Sequence, residues 1–300
     1  MPSPHTHGDQ LTRFLLPGAG VRGVHVQLER TWIELIGRTE YPPRAKALLG
    51  QACAAAALFT GHTKVDGRLS IQLRGEHGLR TLFAECTAAG TLRGIARLED
   101  GEDAPDDLTD LGEHAVLAIT IENPGLDTRE PQRYQSLVSL TSPELDEAFE
   151  SYFRQSEQLP TRLLLAAGQT HVAGLLLQKL PGDAGDSDGW TRSGALFDTL
   201  HASELLATPA HALLHRLFHE EKPELLGTQP LRFACSCSRE RVAAMLQSLG
   251  EEEARAAAET TGAVEVRCEF CGKEYHFPVT ELPLLFADKL IEAPASDRLQ

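Results

Sequence analysis

The sequence predicts an α+β N-terminal domain, a helical linker region and a small C-terminal module built on four cysteines. Three observations carry this. Strand-like alternation recurs through the first 180 residues around one alanine-rich helix. A Gly/Asp-rich stretch at 181–189 then breaks the apolar pattern, and amphipathic helical spacing follows it. Finally, four of the six cysteines fall in two short pairs, Cys235-Ser-Cys237 and Cys268-Glu-Phe-Cys271. The expected divisions are 1–180, 181–231 and 232–286, with a tail at 287–300.

Arg22 to Arg30 puts Val24, Val26 and Leu28 on one side, as a half-buried strand requires. Arg44 to Thr60 is rich in alanine and leucine, carries Cys53 and reads as a buried helix. Strands are expected at Arg68 to Arg74, Thr81 to Cys86, Thr91 to Leu98, Ala115 to Ile121 and Gln132 to Leu140, with Gly67, Gly75, Gly78 and Gly90 marking turns. Ser142-Pro143 opens a helix whose first turns carry Glu144, Asp146 and Glu147, where the helix dipole favours acids. Leu163 to Ala167 and His171 to Leu180 read as a hairpin closed through Gly168.

Pro181 to Gly189 reads as a flexible tether. Beyond it, Thr208 is the expected N-cap of a helix with Pro209 at its first position. Ala210, Leu213, Leu214, Leu217 and Phe218 complete an amphipathic stripe, preceded by the less regular Leu196, Phe197, Leu200, Leu205 and Leu206. Helices this short need a surface to lie on. In the last module Ser238 caps a helix through Leu249 that Gly250 stops. Glu251 to Thr261 forms a second helix ending at Gly262, and Val264 to Arg267 delivers the second cysteine pair on a strand.

Three hundred residues with 42% hydrophobic content can fill a sizeable core. Met1 to Gln10 is polar, with His5 and His7 but no signal pattern. The longest apolar run, Ala52 to Phe59, is too short to span a bilayer, so the expectation is a cytoplasmic protein without a membrane partner. The net charge of −15 disfavours nucleic acid. Between Arg232 and Phe286, nine acidic and six basic residues leave −3, and four thiolates with one divalent zinc bring the module near −5. Phosphate binding needs the opposite sign.

Four thiolates in two close pairs match a closed tetrahedral zinc site, which is usually structural. In an extended segment residues i and i+2 share a side, so Cys235 and Cys237 can reach one metal. Gly272 suits the knuckle after Cys271. One zinc per chain, held by Cys235, Cys237, Cys268 and Cys271, is therefore expected. Each pair is also a candidate for oxidation, because zinc keeps its cysteines deprotonated and the thiolate is the reactive form. Zinc binding contributes roughly 10–16 kcal/mol to such a module, which otherwise has little core.

Other motifs have plainer readings. Gly18-Ala-Gly20-Val-Arg-Gly23 has dinucleotide-binding spacing, but a strand follows it where a helix is required, so it reads as a loop. His211, His215 and His219 line one helix stripe beside the apolar one, where half-exposed polar residues belong; the spacing would suit a second metal. Cys53 and Cys86 read as small core residues. No nucleophile elbow, phosphate loop or acid–base pair stands out, so catalysis is not expected.

The cysteine pairs sit in Arg-Phe-Ala-Cys235-Ser-Cys237-Ser-Arg-Glu-Arg and Val-Arg-Cys268-Glu-Phe-Cys271-Gly. Together with Tyr152-Phe-Arg-Gln-Ser-Glu-Gln-Leu-Pro-Thr161, Ala173-Gly-Leu-Leu-Leu-Gln178 and Leu213-Leu-His-Arg-Leu-Phe-His-Glu-Glu221, they resemble the heat shock protein 33 family of redox-regulated holdase chaperones. The resemblance spans about Leu11 to Phe286. It implies an ATP-independent chaperone of the bacterial cytoplasm, acting in the oxidative stress response on unfolded or aggregation-prone clients. It implies a reduced, zinc-bound, inactive form. It further implies that disulfides Cys235–Cys237 and Cys268–Cys271 expel zinc, unfold the module and linker, and activate the protein, often as a homodimer. Two other classes remain: an enzyme with a structural zinc tail, and a zinc-ribbon nucleic-acid binder. Turnover insensitive to the cysteines would mark the first, salt-sensitive nucleic-acid binding the second.

Overall fold

The computed structural model describes residues 8–125, 131–182, 184–259 and 262–287. His5, His7 and all but the first residue of the expected tail lie outside them. The chain divides between Ala234 and Cys235 into two compact units.

The first unit begins with strands β1 (Gln10–Leu16) and β2 (Val21–Leu28), short helix α1 (Arg30–Ile36) and long helix α2 (Pro43–His62). Strands β3 (Arg68–Arg74), β4 (Leu79–Thr87), β5 (Thr91–Leu98), β6 (Val116–Asn123) and β7 (Gln132–Val138) follow. Then come helix α3 (Leu145–Tyr152), strands β8 (Thr161–Ala167) and β9 (Val172–Lys179), helices α4 (Gly189–Phe197), α5 (Ala202–Ala207) and α6 (Ala210–Phe218), and strands β10 (Glu224–Pro230) and β11 (Arg232–Phe233). Two sheets result: an antiparallel one ordered β10-β1-β2-β9-β8, and one ordered β11-β5-β4-β3-β6-β7 in which only β11 pairs in parallel.

Helix α2 packs against strands of both sheets and is buried nearly all round, as its run of small residues allows. A Cβ at Gly50 would come within 2.7 Å of the Ala167 Cβ, so the helix and the five-stranded sheet approach closer than a side chain permits. Trp32, Phe59 and Phe149 anchor this core; full burial of such an apolar side chain is worth roughly 1.5–3 kcal/mol. Two carboxylates cap helix starts from afar. Asp103 accepts from the Arg44 and Ala45 amides at 3.0 and 2.9 Å, and Asp9 accepts from the Arg30 amide at 3.1 Å.

The other face of the five-stranded sheet carries a second core. Phe14, Leu16, Val21, Leu175 and Leu177 meet Phe197, Leu205, Leu213, Leu214 and Phe218 from α4, α5 and α6, with Phe14 and Phe218 stacked at 6.2 Å. The segment read as tether and linker thus lies on this sheet. The tether itself is bonded rather than free: Asp186 donates its amide to Gly18 O at 2.8 Å, and a Cβ on Gly20 would fall 1.9 Å from Ala184 O. Arg192 joins Asp186 and Asp188 to Glu221. The Gly18-to-Gly23 motif is accordingly a turn plus the start of β2, with no helix behind it. Two caps differ from expectation. Pro209, not Thr208, precedes α6 and supplies no side-chain bond, and α3 starts after Glu144 rather than at Ser142-Pro143.

The second unit holds α7 (Arg239–Leu249), α8 (Glu251–Ala258), the hairpin β12 (Ala263–Arg267) with β13 (Glu274–Pro278), and α9 (Leu282–Ala287). Ser238 caps α7 through its hydroxyl, which accepts from Arg241 N at 3.2 Å, and Gly250 ends it at φ 112°. Eight buried apolar residues, Val242 and Phe277 among them, form its core. Among the described residues no helix is long and apolar enough to cross a membrane.

Candidate metal centre

Cys235 and Cys237 stand on the non-helical segment that runs into the Ser238 cap of α7. Cys268 follows β12, and Cys271 lies in the turn before β13. That turn is closed by Gly272 N donating to Cys268 O at 2.7 Å and Cys268 N donating to Lys273 O at 2.9 Å. Gly272 sits at φ 67°, the left-handed angle the knuckle demands.

The fold brings all four sulfurs within 4.8 Å of one another. Cys235 Sγ is 3.6 Å from Cys268 Sγ, and Cys237 Sγ is 3.2 Å from Cys271 Sγ. A tetrahedral site with metal–sulfur bonds of about 2.3 Å requires sulfurs about 3.8 Å apart. The donor set is therefore close to the size of a four-thiolate site, and soft sulfur donors suit zinc. These four are the one such group among the described residues.

Protonation in the bare cluster is uneven. Burial works against a thiolate at Cys237, yet the Tyr275 hydroxyl, 3.1 Å from its Sγ, and the neighbouring thiols bring it down to about 7. Burial and the adjacent sulfurs push Cys271 up to about 12, although the Lys273 amide pulls the other way. Burial likewise raises Cys235. Four sulfurs this close cannot all carry charge unless a cation compensates them. Tyr275 was not singled out from the sequence; its signal was the Tyr275/Phe277 alternation, which points both rings into the small core.

The remaining candidates separate cleanly. Cys53 and Cys86 are buried, and burial first pushes both up to about 12, with Cys86 adding to it at Cys53 and Glu85 adding to it at Cys86 against a hydrogen bond from Thr60. His211, His215 and His219 are exposed; the rings of His215 and His219 stack at 5.5 Å, but the three do not converge into a ligand set.

Residues 9–278 match the family model described as Hsp33 protein. The 33 kDa chaperonin of Ectopseudomonas mendocina is 42% identical over 293 residues, covering 95% of this chain and 98% of that protein. The 33 kDa chaperonin of Pseudomonas fluorescens is 41% identical over 297 residues, with 97% of each covered. That of Chromobacterium violaceum is 38% identical over 292 residues, covering 97% of this chain and 98% of that one. Among solved structures, the 33 kDa chaperonin (heat shock protein 33 homolog) of Thermotoga maritima superposes with a TM-score of 0.76 at 23% identity, covering 95% of this chain and all of that one.

Proposed function

The chain belongs to the Hsp33 family, and from that premise we propose that it is an ATP-independent holdase chaperone of the cytoplasm, switched on by oxidation. The observation that carries the switch is the convergence of four sulfurs within 4.8 Å beside a small core, eight buried apolar residues among those described. Cys235, Cys237, Cys268 and Cys271 would hold one zinc, which when bound neutralises the thiolates and supplies the cross-link such a small core lacks.

Activation is a balanced thiol oxidation. A thiolate attacks the O–O bond of a peroxide, giving a sulfenic acid and releasing hydroxide. A neighbouring thiolate then attacks that sulfur, forming the disulfide and expelling a second hydroxide. Two disulfides thus consume two peroxides and leave no thiolate for a metal. The sulfurs lie close enough for several pairings; the family resemblance implies the sequence neighbours Cys235–Cys237 and Cys268–Cys271. With the module unfolded, α4, α5 and α6 leave their sheet and expose two apolar faces for unfolding clients. Dimerisation of the oxidised form would shield part of that surface.

The test is light scattering of a thermally aggregating client without ATP. Protein treated with peroxide should suppress scattering, and the reduced, zinc-loaded protein should not. Equal protection by both forms would reduce the cysteines to a structural site.

A further inference from the structure

Core-facing strand positions are ordinarily apolar, and two paired ones here are not. On β2, Arg22 shares the side of Val24 and Val26; on β9, Gln178 shares the side of Leu176. The two are register partners. Arg22 Nη2 donates to Gln178 Oε1 at 2.6 Å and lies 3.0 Å from His62 Nε2, at the end of α2. Gln178 in turn donates to Thr161 Oγ1 at 3.0 Å.

Among the described residues, no carboxylate pairs with this guanidinium. Its buried Nε has no hydrogen-bond partner, and neither has His62 Nδ1. Burial lowers Arg22 from its ordinary value. Burial and the cation beside it hold His62 neutral, down at about 4, despite its contact with Gln178. An uncompensated cation among unpartnered donors is costly where nothing completes it.

These groups lie in the wall of a cleft of about 400 Å³ between the two sheets, within the size range of small-molecule sites. Phe59, Leu69, Ile119, Ile121 and Phe153 give it an apolar stretch, while Lys64, Thr63, Tyr134 and Ser136 add polar groups, Lys64 being a second cation in the wall. The one carboxylate in the wall, Glu157, is exposed and already accepts from the Tyr152 hydroxyl at 2.8 Å. One side is irregular backbone: a π-turn at Phe153–Glu157 ending on Gln158 at φ 55°, a left-handed angle on a non-glycine residue. Such turns and angles concentrate at binding sites.

We propose that this cleft binds a small amphiphilic carboxylate of the medium-chain fatty-acid type, its head on Arg22 and its chain along the apolar walls. A guanidinium is the side chain best matched to a carboxylate, and a fully hydrated inorganic anion would leave those walls unused.

Isothermal titration of the full-length reduced protein with decanoate, and separately with decanol, tests this. Decanoate should bind saturably at one site, with decanol at least tenfold weaker. Arg22→Gln should weaken decanoate at least tenfold and leave decanol unchanged, while Arg22→Lys retains part of the preference. In the wild type, methyl resonances of Leu69, Ile119 and Ile121 should shift on titration, which decides the matter even if Arg22→Gln fails to fold. Absence of binding, equal affinity for the alcohol, an unaffected Arg22→Gln, or shifts confined to the leucines of α5 and α6 would each overturn the proposal.

Discussion

The six cysteines divide by environment more sharply than by sequence spacing. Alkylation of the metal-free protein, its first unit still folded, should label the cluster thiols and spare Cys53 and Cys86, whose burial holds them protonated. Replacing Cys235, Cys237, Cys268 and Cys271 together by serine should abolish zinc binding, read by metal analysis, whereas Cys53→Ala should leave it at one per chain. Zinc retained by the fourfold variant would move the site elsewhere. That these four cysteines come together was legible because i, i+2 and i, i+3 spacing fixes geometry locally. Arg22, His62 and Gln178 were not, since 40 and 116 residues separate His62 from its partners. A second residue-scale prediction concerns His25, fully buried with neither ring nitrogen partnered. Its cross-strand neighbours are Thr12 and Leu175, neither titratable. Burial lowers it to about 4 from 6.5, so above pH 6.5 it is neutral folded or unfolded. As pH falls from 6.5 towards 4, the unfolded chain takes a proton the native state refuses, and stability declines by about 1.4 kcal/mol per pH unit. Urea melts at pH 7 and pH 5 should show His25→Leu losing about 2 kcal/mol less than wild type. An identical loss would mean that His25 is not the responsible group.

At the scale of elements, α4, α5 and α6 owe their order to the sheet beneath them. Phe218→Ala removes a fully buried ring from the stack on Phe14 and should cost about 3–5 kcal/mol. Hydrogen exchange in 189–221 should then rise well before that of α2, and the reduced protein should gain part of the oxidised form's activity. Unchanged exchange there would separate these helices from the switch. The amphipathic stripe made α6 readable, and alternation gave β3 and β5 to the residue. Several elements escaped, α9 and the two-residue β11 among them, and three show why. Helix α1 has no cap of its own, since Asp9 supplies it from 20 to 22 residues upstream. Strand β1 carries Arg13 at an exposed position in an otherwise largely buried run, within a polar-looking terminus. Strand β10 is mostly exposed, with Leu225 and Leu226 outward, and is defined by backbone pairing with β1 rather than by any periodicity. Composition alone reads 181–189 as a free tether, because it does not reveal that Gly20, Gly185 and Gly189 let two backbone segments touch.

For the whole molecule, the two units draw on different sources of stability. The first has two extensive apolar clusters; the second has eight buried apolar residues among those described, and metal binding of roughly 10–16 kcal/mol would exceed what so small a core supplies. Removing metal with a chelator under reducing conditions should therefore abolish structure after Cys235 while the first unit still melts cooperatively. Oxidation should go further, and the order of release follows from the connections inside the first unit. Only two residues of β11 pair with β5, and β10 is held at one edge by β1. These fray first once the chain beyond Ala234 is unfolded. Next comes the segment bound through Arg192 to Glu221, whose carboxylate sits just before β10. Hydrogen exchange after peroxide treatment should therefore rise in 235–287, then in 224–233, then in 189–221, with α2 and β3 to β6 still protected when client binding appears. If the 189–221 segment stays as protected as α2 in a fully active oxidised sample, the clients bind elsewhere, and the release of α4, α5 and α6 is not the activating step.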